Sequence, residues 1–448
     1  MDKNEKVLFI NPPSDKLYYI SIQPPLGILY LASYLRQNGI DVNIIDLNIS
    51  RDWRKDLHSI MTAYKPTTVG LSSNFSNRYT TLKLASEVKA IDENIAVIVG
   101  GPQPTIEPSE YNHPSVDYIM QYEAEKAMLN LLKGGNGHRE NPQQNGQKTP
   151  KIINVYDPVW ELDTLPFPAY DMISVDKYYI NSYKKRPLVS MVTSRGCPSH
   201  CIFCSQMVTG RKWRSRSPEN IVDEMEWLEK SIGVKEISIE DDNFTYDVDR
   251  VFQICELKKK RGINLVWQLA NGITVNKMTK ELLQAIKDAG CWKIAIAPEV
   301  GDAESLKKIK KAAKIDQFRQ AAKWCKELDI VFYGFFLIGL PFQTEKDMEQ
   351  TVNFAFELDP LMMDLSKLVP FKGTEVYDKD PALSGRVQNS MTTYYDRQNN
   401  NFLERIHRNA YLRFYSRPHK IMEIINKIGM KSFLRFVKYG LEIFYAKG

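Results

Sequence analysis

The chain has 448 residues, room for about three domains. No apolar run reaches the roughly 18 to 20 residues of a membrane span and no signal peptide opens the chain, which predicts a cytoplasmic protein and argues against a disulfide framework. The formal net charge of +6 belongs to the tail: from Asn401 to Gly448 ten Lys or Arg face three Glu, a net of +7, and the rest is near neutral.

From Lys6 to about Glu125 short apolar runs alternate with helical patterns. Val7–Ile10, Val42–Ile45, Thr68–Leu71 and Ala96–Val99 predict buried parallel strands at βαβ spacing, and hence a doubly wound α/β sheet. Ligands bind beyond the carboxyl ends of such strands, where this chain places Asn11-Pro12-Pro13, Ser72-Ser73-Asn74 and Gly100–Thr105. Gly100 and Gly101 permit close backbone approach, and Ser72 and Ser73 can hydrogen-bond a ligand. The polar stretch Gly134–Pro150 has no apolar period and predicts a mobile surface loop. Leu162–Pro168, with two prolines, reads as a stiff connector.

Cys197, Cys201 and Cys204 stand within eight residues. Three thiolates on one short loop can hold three irons of a four-iron cluster and leave the fourth iron open to a ligand from outside the protein. Zinc is the alternative, but a closed structural zinc site wants four ligands, and the one nearby candidate, His200, lies inside the loop. Cys255, Cys291 and Cys325 are scattered singly and read as small buried residues.

From Leu188 the βα alternation returns. Val189–Val192 is the first strand, and the cysteine loop leaves its carboxyl end, where barrels of βα units gather their chemistry. Glu236–Ile239 runs into Glu240, Asp241 and Asp242, three acids that repel one another unless something cationic binds there. A helix cap with a salt bridge is the plain alternative for them. Thr344 with Asp347 predicts the start of a further helix.

The C-x3-C-x2-C spacing resembles the signature of the radical S-adenosylmethionine (SAM) superfamily, in which the open iron binds SAM and an electron from the cluster cleaves it to a 5'-deoxyadenosyl radical. Pro24–Ala32, Gly100-Gly101-Pro102, and Val116–Ile119 with Glu123-Ala124-Glu125 resemble the amino-terminal domain of the B12-dependent members of that superfamily. That resemblance implies cobalamin near Ser72, Ser73, Gly100 and Gly101. Two departures stand out: Asn48 of Asp46-Leu47-Asn48 occupies the position of the histidine in the Asp-x-His-x-x-Gly motif, and Gln103 stands where the family loop often has histidine. The same resemblance implies SAM contacts for Phe203 (adenine), Asp241 and Asp242 (the methionine ammonium), Glu299 in Ile294–Gly301 (ribose or methionine), and Gly339 in Phe336–Glu345 (adenine, through the backbone). Lys367–Thr374 looks like the closing strand.

Arg405–Lys447 interleaves apolar and basic residues, with Lys427, Lys431, Arg435 and Lys438 among them. A helical cap with solvated cations is one reading; a surface touching anionic lipid or guiding a lipid-like substrate is the other. Nucleic acid is not expected, because the aromatics fall within the apolar pattern. The expectation is therefore a B12-binding Rossmann-like domain over 1–150, a connector over 151–187, a partial TIM-type radical SAM barrel over 188–385 and a basic helical region over 386–448. The implied cofactors are a [4Fe-4S] cluster, SAM and cobalamin. Implied partners are a small-molecule or lipid-like substrate and an electron donor such as flavodoxin or ferredoxin, with a peripheral contact at the inner membrane face. The implied reaction is methylation of an unactivated carbon. Ring closure without methyl transfer, a first domain without cobalamin, and a non-catalytic metal sensor or scaffold remain the alternatives.

Overall fold

A computed structural model describes residues 5–14, 22–134, 143–144, 147–180, 182–379, 401–430, 433–434 and 437. The chain divides into two units, Met1–Ile180 with Met207–Gly210, and Asn181–Gln206 with Arg211–Gly448. Most of the polar stretch Gly134–Pro150 and the expected boundary at 385/386 lie outside the described residues.

The first unit holds a six-stranded sheet built from β1 (Lys6–Asn11), β2 (Asp41–Asp46), β3 (Thr68–Ser72), β4 (Ala96–Gly100), β5 (Tyr118–Met120) and β6 (Lys151–Ile153). All pairings are parallel and the order is β2-β1-β3-β4-β5-β6. The four strands the apolar runs predict are the centre of this sheet, and two short strands extend it. The last, Lys151–Ile153, falls where the sequence suggested a connector. The chain reverses its order between β1 and β3, which makes their carboxyl ends the switch point. One face buries Leu8, Ile10, Val69, Leu71, Val97 and Val99 against Leu57 and Met61 of α2 (Trp53–Tyr64) and Leu84, Ala85 and Val88 of α3 (Arg78–Ile91). Beside α1 (Leu26–Gln37), Tyr30 packs with Val159, Leu162 and Leu165, so the proline-stiffened connector is a wall of this unit's core.

The second unit is another all-parallel sheet of six strands, β7 (Leu188–Met191), β10 (Glu236–Ile239), β11 (Val266–Leu269), β12 (Cys291–Glu299), β13 (Val331–Ile338) and β14 (Met362–Lys367). They lie side by side in chain order, as successive βα units of an open barrel require. Between β7 and β10 a small antiparallel pair forms from β8 (Ser194–Arg195) and β9 (Arg214–Ser215). Helix α11 (Glu345–Leu358) begins where Thr344 and Asp347 close a capping box. A bulge at β12 lets Trp267 pair with Cys291 and Gln268 with Lys293, so Trp292 is the extra residue.

An open sheet leaves an edge strand with unpaired backbone groups. Here α13 (Asn401–Tyr415) covers it: the Leu365 N–H donates to the Tyr411 hydroxyl (3.0 Å), and the Met363 N–H to the Tyr415 hydroxyl (2.8 Å), which in turn donates to the Met363 carbonyl (2.9 Å). Helix α14 (Pro418–Ile428) follows, with Ile424 and Ile428 packed on Trp292, Val331, Leu361 and Met362. Lys420 is fully buried and paired with Asp359 and Glu423, while Lys427 pairs with Asp329. The tail through Ile428 is therefore part of this unit's core. Lys431, Arg435 and Lys438 lie outside the described residues. Among the described residues no helix is long and apolar enough to cross a membrane.

Candidate functional site

In the second unit the three clustered cysteines sit on an excursion of the chain between β8 and β9. All three carry free thiols and are half-buried, whereas His200 is exposed. The backbone of Ile202, between them, is held on both sides: its N–H donates to Ile309 O (3.3 Å) and its carbonyl accepts from Val376 N–H (3.1 Å). Burial pushes the Cys201 thiol up to about 11; Glu299, Cys204 and Cys197 push the same way, and Lys311 opposes them. The Cys204 thiol is also raised, by burial first and then by Cys197 and Asp242, against a hydrogen bond from Gln206 and the charge of Arg211. Thiols crowded in this way resist ionising together unless a cation compensates them, which is what a bound metal centre supplies. Among the described residues no group of three or more His, Cys, Asp or Glu side chains is placed to hold a metal ion, so the loop supplies three thiols in sequence without gathering them into a ligand set. Three such donors suit a centre that takes three thiolates and keeps one position open.

The three acids after β10 part company. Asp241 is buried, and its carboxylate accepts from the Thr193 N–H (2.6 Å), the Thr193 hydroxyl (2.5 Å) and the Ser194 hydroxyl (2.5 Å). Asp242 is exposed and close enough to Cys204 to act on its thiol. Glu240 is half-buried and accepts from the Ser238 hydroxyl at 2.7 Å. Their mutual repulsion, evident in the sequence, is relieved by pointing one acid at the loop's own backbone.

Glu299 ends β12 in a left-handed conformation, φ 68°, rare for a residue other than glycine. It forms an ion pair with Lys311 at 2.9 Å and raises the Cys201 thiol. Asp242 and Glu299, from different strand ends, thus both reach the cysteine loop electrostatically. Lys311 and Arg211 are the basic partners that sequence reasoning missed; the Lys307-Lys308 and Lys310-Lys311 pairs following β12 were the available signal. Phe203 is half-buried within the loop. Gly339 follows β13 at φ 85°, where the Gln343 side chain accepts from Leu340 N–H at 3.0 Å and shapes the turn. Gly301 serves packing: a Cβ there would stand 2.5 Å from the Gln350 carbonyl of α11.

In the first unit, the switch-point loops are tied together by polar side chains. Asp46 is buried, which raises its carboxyl above the usual range, and it accepts from Asn11 (2.8 Å), the Tyr178 hydroxyl (2.9 Å) and the Asn48 N–H (2.9 Å). The Asn48 side-chain oxygen accepts from the Ser14 N–H at 3.2 Å. Asn48 thus helps close the loop after β1, in the position that the resemblance would give to a ligand histidine. Ser73 is fully buried and bonded to Tyr111 (2.6 Å) and Thr81 (3.1 Å), whereas Ser72 is half-buried. Gly101 has φ 113°, and a Cβ there would stand 2.6 Å from the Ser73 carbonyl. The close approach that this glycine permits is therefore to the neighbouring strand end. Gln103 is buried and donates to Glu110 at 2.7 Å.

The family model of the radical SAM superfamily matches residues 191–355, and that of the B12 binding domain matches residues 20–132. An uncharacterized methyltransferase of Pyrococcus horikoshii, PH0819, is 31% identical over 392 residues, covering 83% of this chain and 82% of its own length. The anaerobic magnesium-protoporphyrin IX monomethyl ester cyclase of Rubrivivax gelatinosus is 26% identical, over 84% of this chain and 70% of its own. Among solved structures, the radical SAM methyltransferase TsrM from Kitasatospora setae, with cobalamin and a [4Fe-4S] cluster bound, superposes with a TM-score of 0.66 at 19% identity, covering 84% of this chain and 77% of that one. Two α/β sheets, a three-thiol loop after the first strand of the second sheet, and both matched regions in this order come together in one conclusion: the chain belongs to the radical SAM proteins that carry an amino-terminal B12-binding domain.

Proposed function

We propose that this protein is a radical SAM enzyme that methylates an unactivated carbon of a small-molecule or lipid-like substrate with the help of cobalamin. Cys197, Cys201 and Cys204 would hold a [4Fe-4S] cluster, and Phe203, Asp242, Glu299 and the backbone at Gly339 would bind SAM. Asp241, whose oxygens are taken by Thr193 and Ser194, serves that site through the loop. Ser72, Gly100 and Gly101 would line the cobalamin crevice, with Ser73 shaping it from below. When bound, the cluster and SAM supply a 5'-deoxyadenosyl radical that removes a substrate hydrogen, and the corrinoid supplies the methyl group. The protein's own part is to bind, orient and exclude water. A flavodoxin or ferredoxin would deliver the electron. The domains would run as 1–150, 151–187, 188–385 and 386–448, in a cytoplasmic protein.

The observation that carries this reading is a loop of three free cysteines following the first strand of an all-parallel βα sheet, with Glu299 held in a left-handed conformation at the end of β12 and paired with Lys311. A scaffold that merely stored a metal has no need of an acid held so at a later strand end. The test is anaerobic reconstitution with iron and sulfide, then SAM and dithionite. 5'-Deoxyadenosine should form, and should vanish when all three cysteines are changed to Ala; undiminished formation in that triple variant would sink the cluster assignment. Feeding SAM with a deuterated methyl group to extracts of a deletion strain plus enzyme separates the outcomes. A labelled product supports methylation, while an unlabelled product two hydrogens lighter supports ring closure, the reading that the cyclase relative favours. Exposed Met430 and Leu434 near the end of the chain support a peripheral membrane contact as well.

A further inference from the structure

The geometry points to a buried clamp, made by Asp241, Thr193, Arg250 and Arg216, that sets the neck of the cysteine loop before any cofactor arrives. It rests on the iron–sulfur reading only for what the loop is for; the clamp itself is built from side chains of this chain.

Every polar atom of Thr193, which is fully buried four residues before Cys197, is engaged. Its N–H and hydroxyl donate to the two oxygens of Asp241 (2.6 and 2.5 Å). Its carbonyl accepts from Arg250 Nη2 (2.7 Å) and from the Arg216 N–H (3.0 Å), and its hydroxyl oxygen accepts from Arg250 Nη2 as well (2.7 Å). Ser194 adds its own hydroxyl to Asp241. The outgoing limb of the loop is held by the same groups. Arg250 Nε donates to the Arg216 carbonyl (3.1 Å), Arg216 Nη1 donates to the Val192 carbonyl (3.1 Å), and the Arg250 guanidinium lies over the Trp213 ring (5.5 Å) and the Phe244 ring (5.8 Å). Both limbs of the excursion are thereby tied to the buried Asp241 carboxylate and two buried guanidinium groups, one of which, Arg216, also pairs with the fully buried Glu224.

Hydrogen bonds to charged partners away from water are the strong ones, and partners behind a ligand set are what orient it. A loop that must present three thiols at fixed separations gains most from rigidity at its neck, because an error there displaces all three together. Asp241 and Asp242 thus differ in place: the first is buried and fixes the loop from behind, and the second is exposed. Asp241, Thr193 and Arg250 are positioning residues in this account.

Thr193→Val, which keeps the shape and loses the hydroxyl, tests the clamp beside Asp241→Asn, with Thr193→Ser as the conservative rescue. In the full apo chain, hydrogen exchange read by mass spectrometry should rise at least tenfold in peptides spanning 193–206 for Val and Asn, stay near wild type for Ser, and be unchanged in β12 and β13. After anaerobic reconstitution the Val and Asn variants should lose iron to a chelator at least tenfold faster, and the electron paramagnetic resonance change on adding SAM should weaken. Unchanged exchange in the loop overturns the clamp, and so does faster exchange combined with wild-type iron release. If the wild type itself takes up no iron while loop exchange still rises in Thr193→Val, the clamp stands and the iron–sulfur reading falls.

Discussion

The two tyrosines that cover β14 give the most direct measure of how the open sheet is sealed. Changing Tyr415 to Phe keeps the ring and removes the one hydroxyl that both accepts from and donates to the backbone of Met363, a residue only 2% exposed. A buried backbone group left unpaired costs about 1–3 kcal/mol. Two such groups, the N–H and the carbonyl, make about 2–6 kcal/mol, and at about 1.4 kcal/mol per factor of ten local opening at Met363 becomes at least roughly 30-fold more frequent. Tyr411→Phe removes the 3.0 Å bond to Leu365, which should contribute about 1 kcal/mol. The rings stack at 5.9 Å, so the two changes are close enough to couple, and the double variant should depart from the sum by about 0.5 kcal/mol or more. Global unfolding reports on both units together, so the sealing of one edge strand needs a local reading. Hydrogen exchange of a peptide covering Met362–Lys367 reads the edge alone, with a peptide from β1 as control. An edge peptide that exchanges less than twofold faster in the double variant refutes the view that these hydroxyls seal the sheet.

Gly101→Ala should destabilise the first unit by about 3 kcal/mol or more, because the added Cβ meets the Ser73 carbonyl, a backbone atom that cannot yield. Thermal denaturation and cobalamin absorbance after loading should both fall, and an unchanged melt would contradict the packing. Cys325 is raised to about 12 by burial alone. Below the unfolded thiol's range its contribution is complete, and stability is lost as pH rises from about 9 to 12, by about 1.4 kcal/mol at pH 10. Cys325→Ala should therefore unfold more easily at pH 7 in urea yet show a flatter decline from pH 7 to 10; parallel declines would be evidence against the shift. For the tail, Met430→Ser with Leu434→Ser should lower co-sedimentation with vesicles containing phosphatidylglycerol, and equal sedimentation removes the proposed lipid contact.

The central strands of the first sheet were legible because runs such as Val7–Ile10 and Ala96–Val99 are apolar on both faces, as strands covered on both sides must be. Lys151–Ile153 was not: three residues after a polar stretch carry no period, and only pairing with β5 makes them a strand. The cysteine loop was plain from spacing alone. What the acids beside it do was not, since Asp241 and Asp242 are adjacent and chemically alike, and only their burial separates them. Ser73 shows the same limit, as a hydroxyl at a strand end that turns inward to Tyr111. Tail helices followed from the spacing of Ile421, Ile424, Ile425 and Ile428, but nothing in that spacing pairs Lys420 with Asp359 or sets Tyr411 and Tyr415 against the edge strand.

The clamp has a bearing on how the protein is made. Thr193 is 48 residues from Asp241 and 57 from Arg250, and all of them lie in the first two βα segments of the second sheet. A chain leaving the ribosome amino end first can assemble this neck while the strand ending at Glu299, and those after it, are still unmade. The thiols would then be set out for iron delivery before their enclosing walls exist. The same order leaves them open to oxidants for as long as synthesis takes to reach the last strand at Lys367.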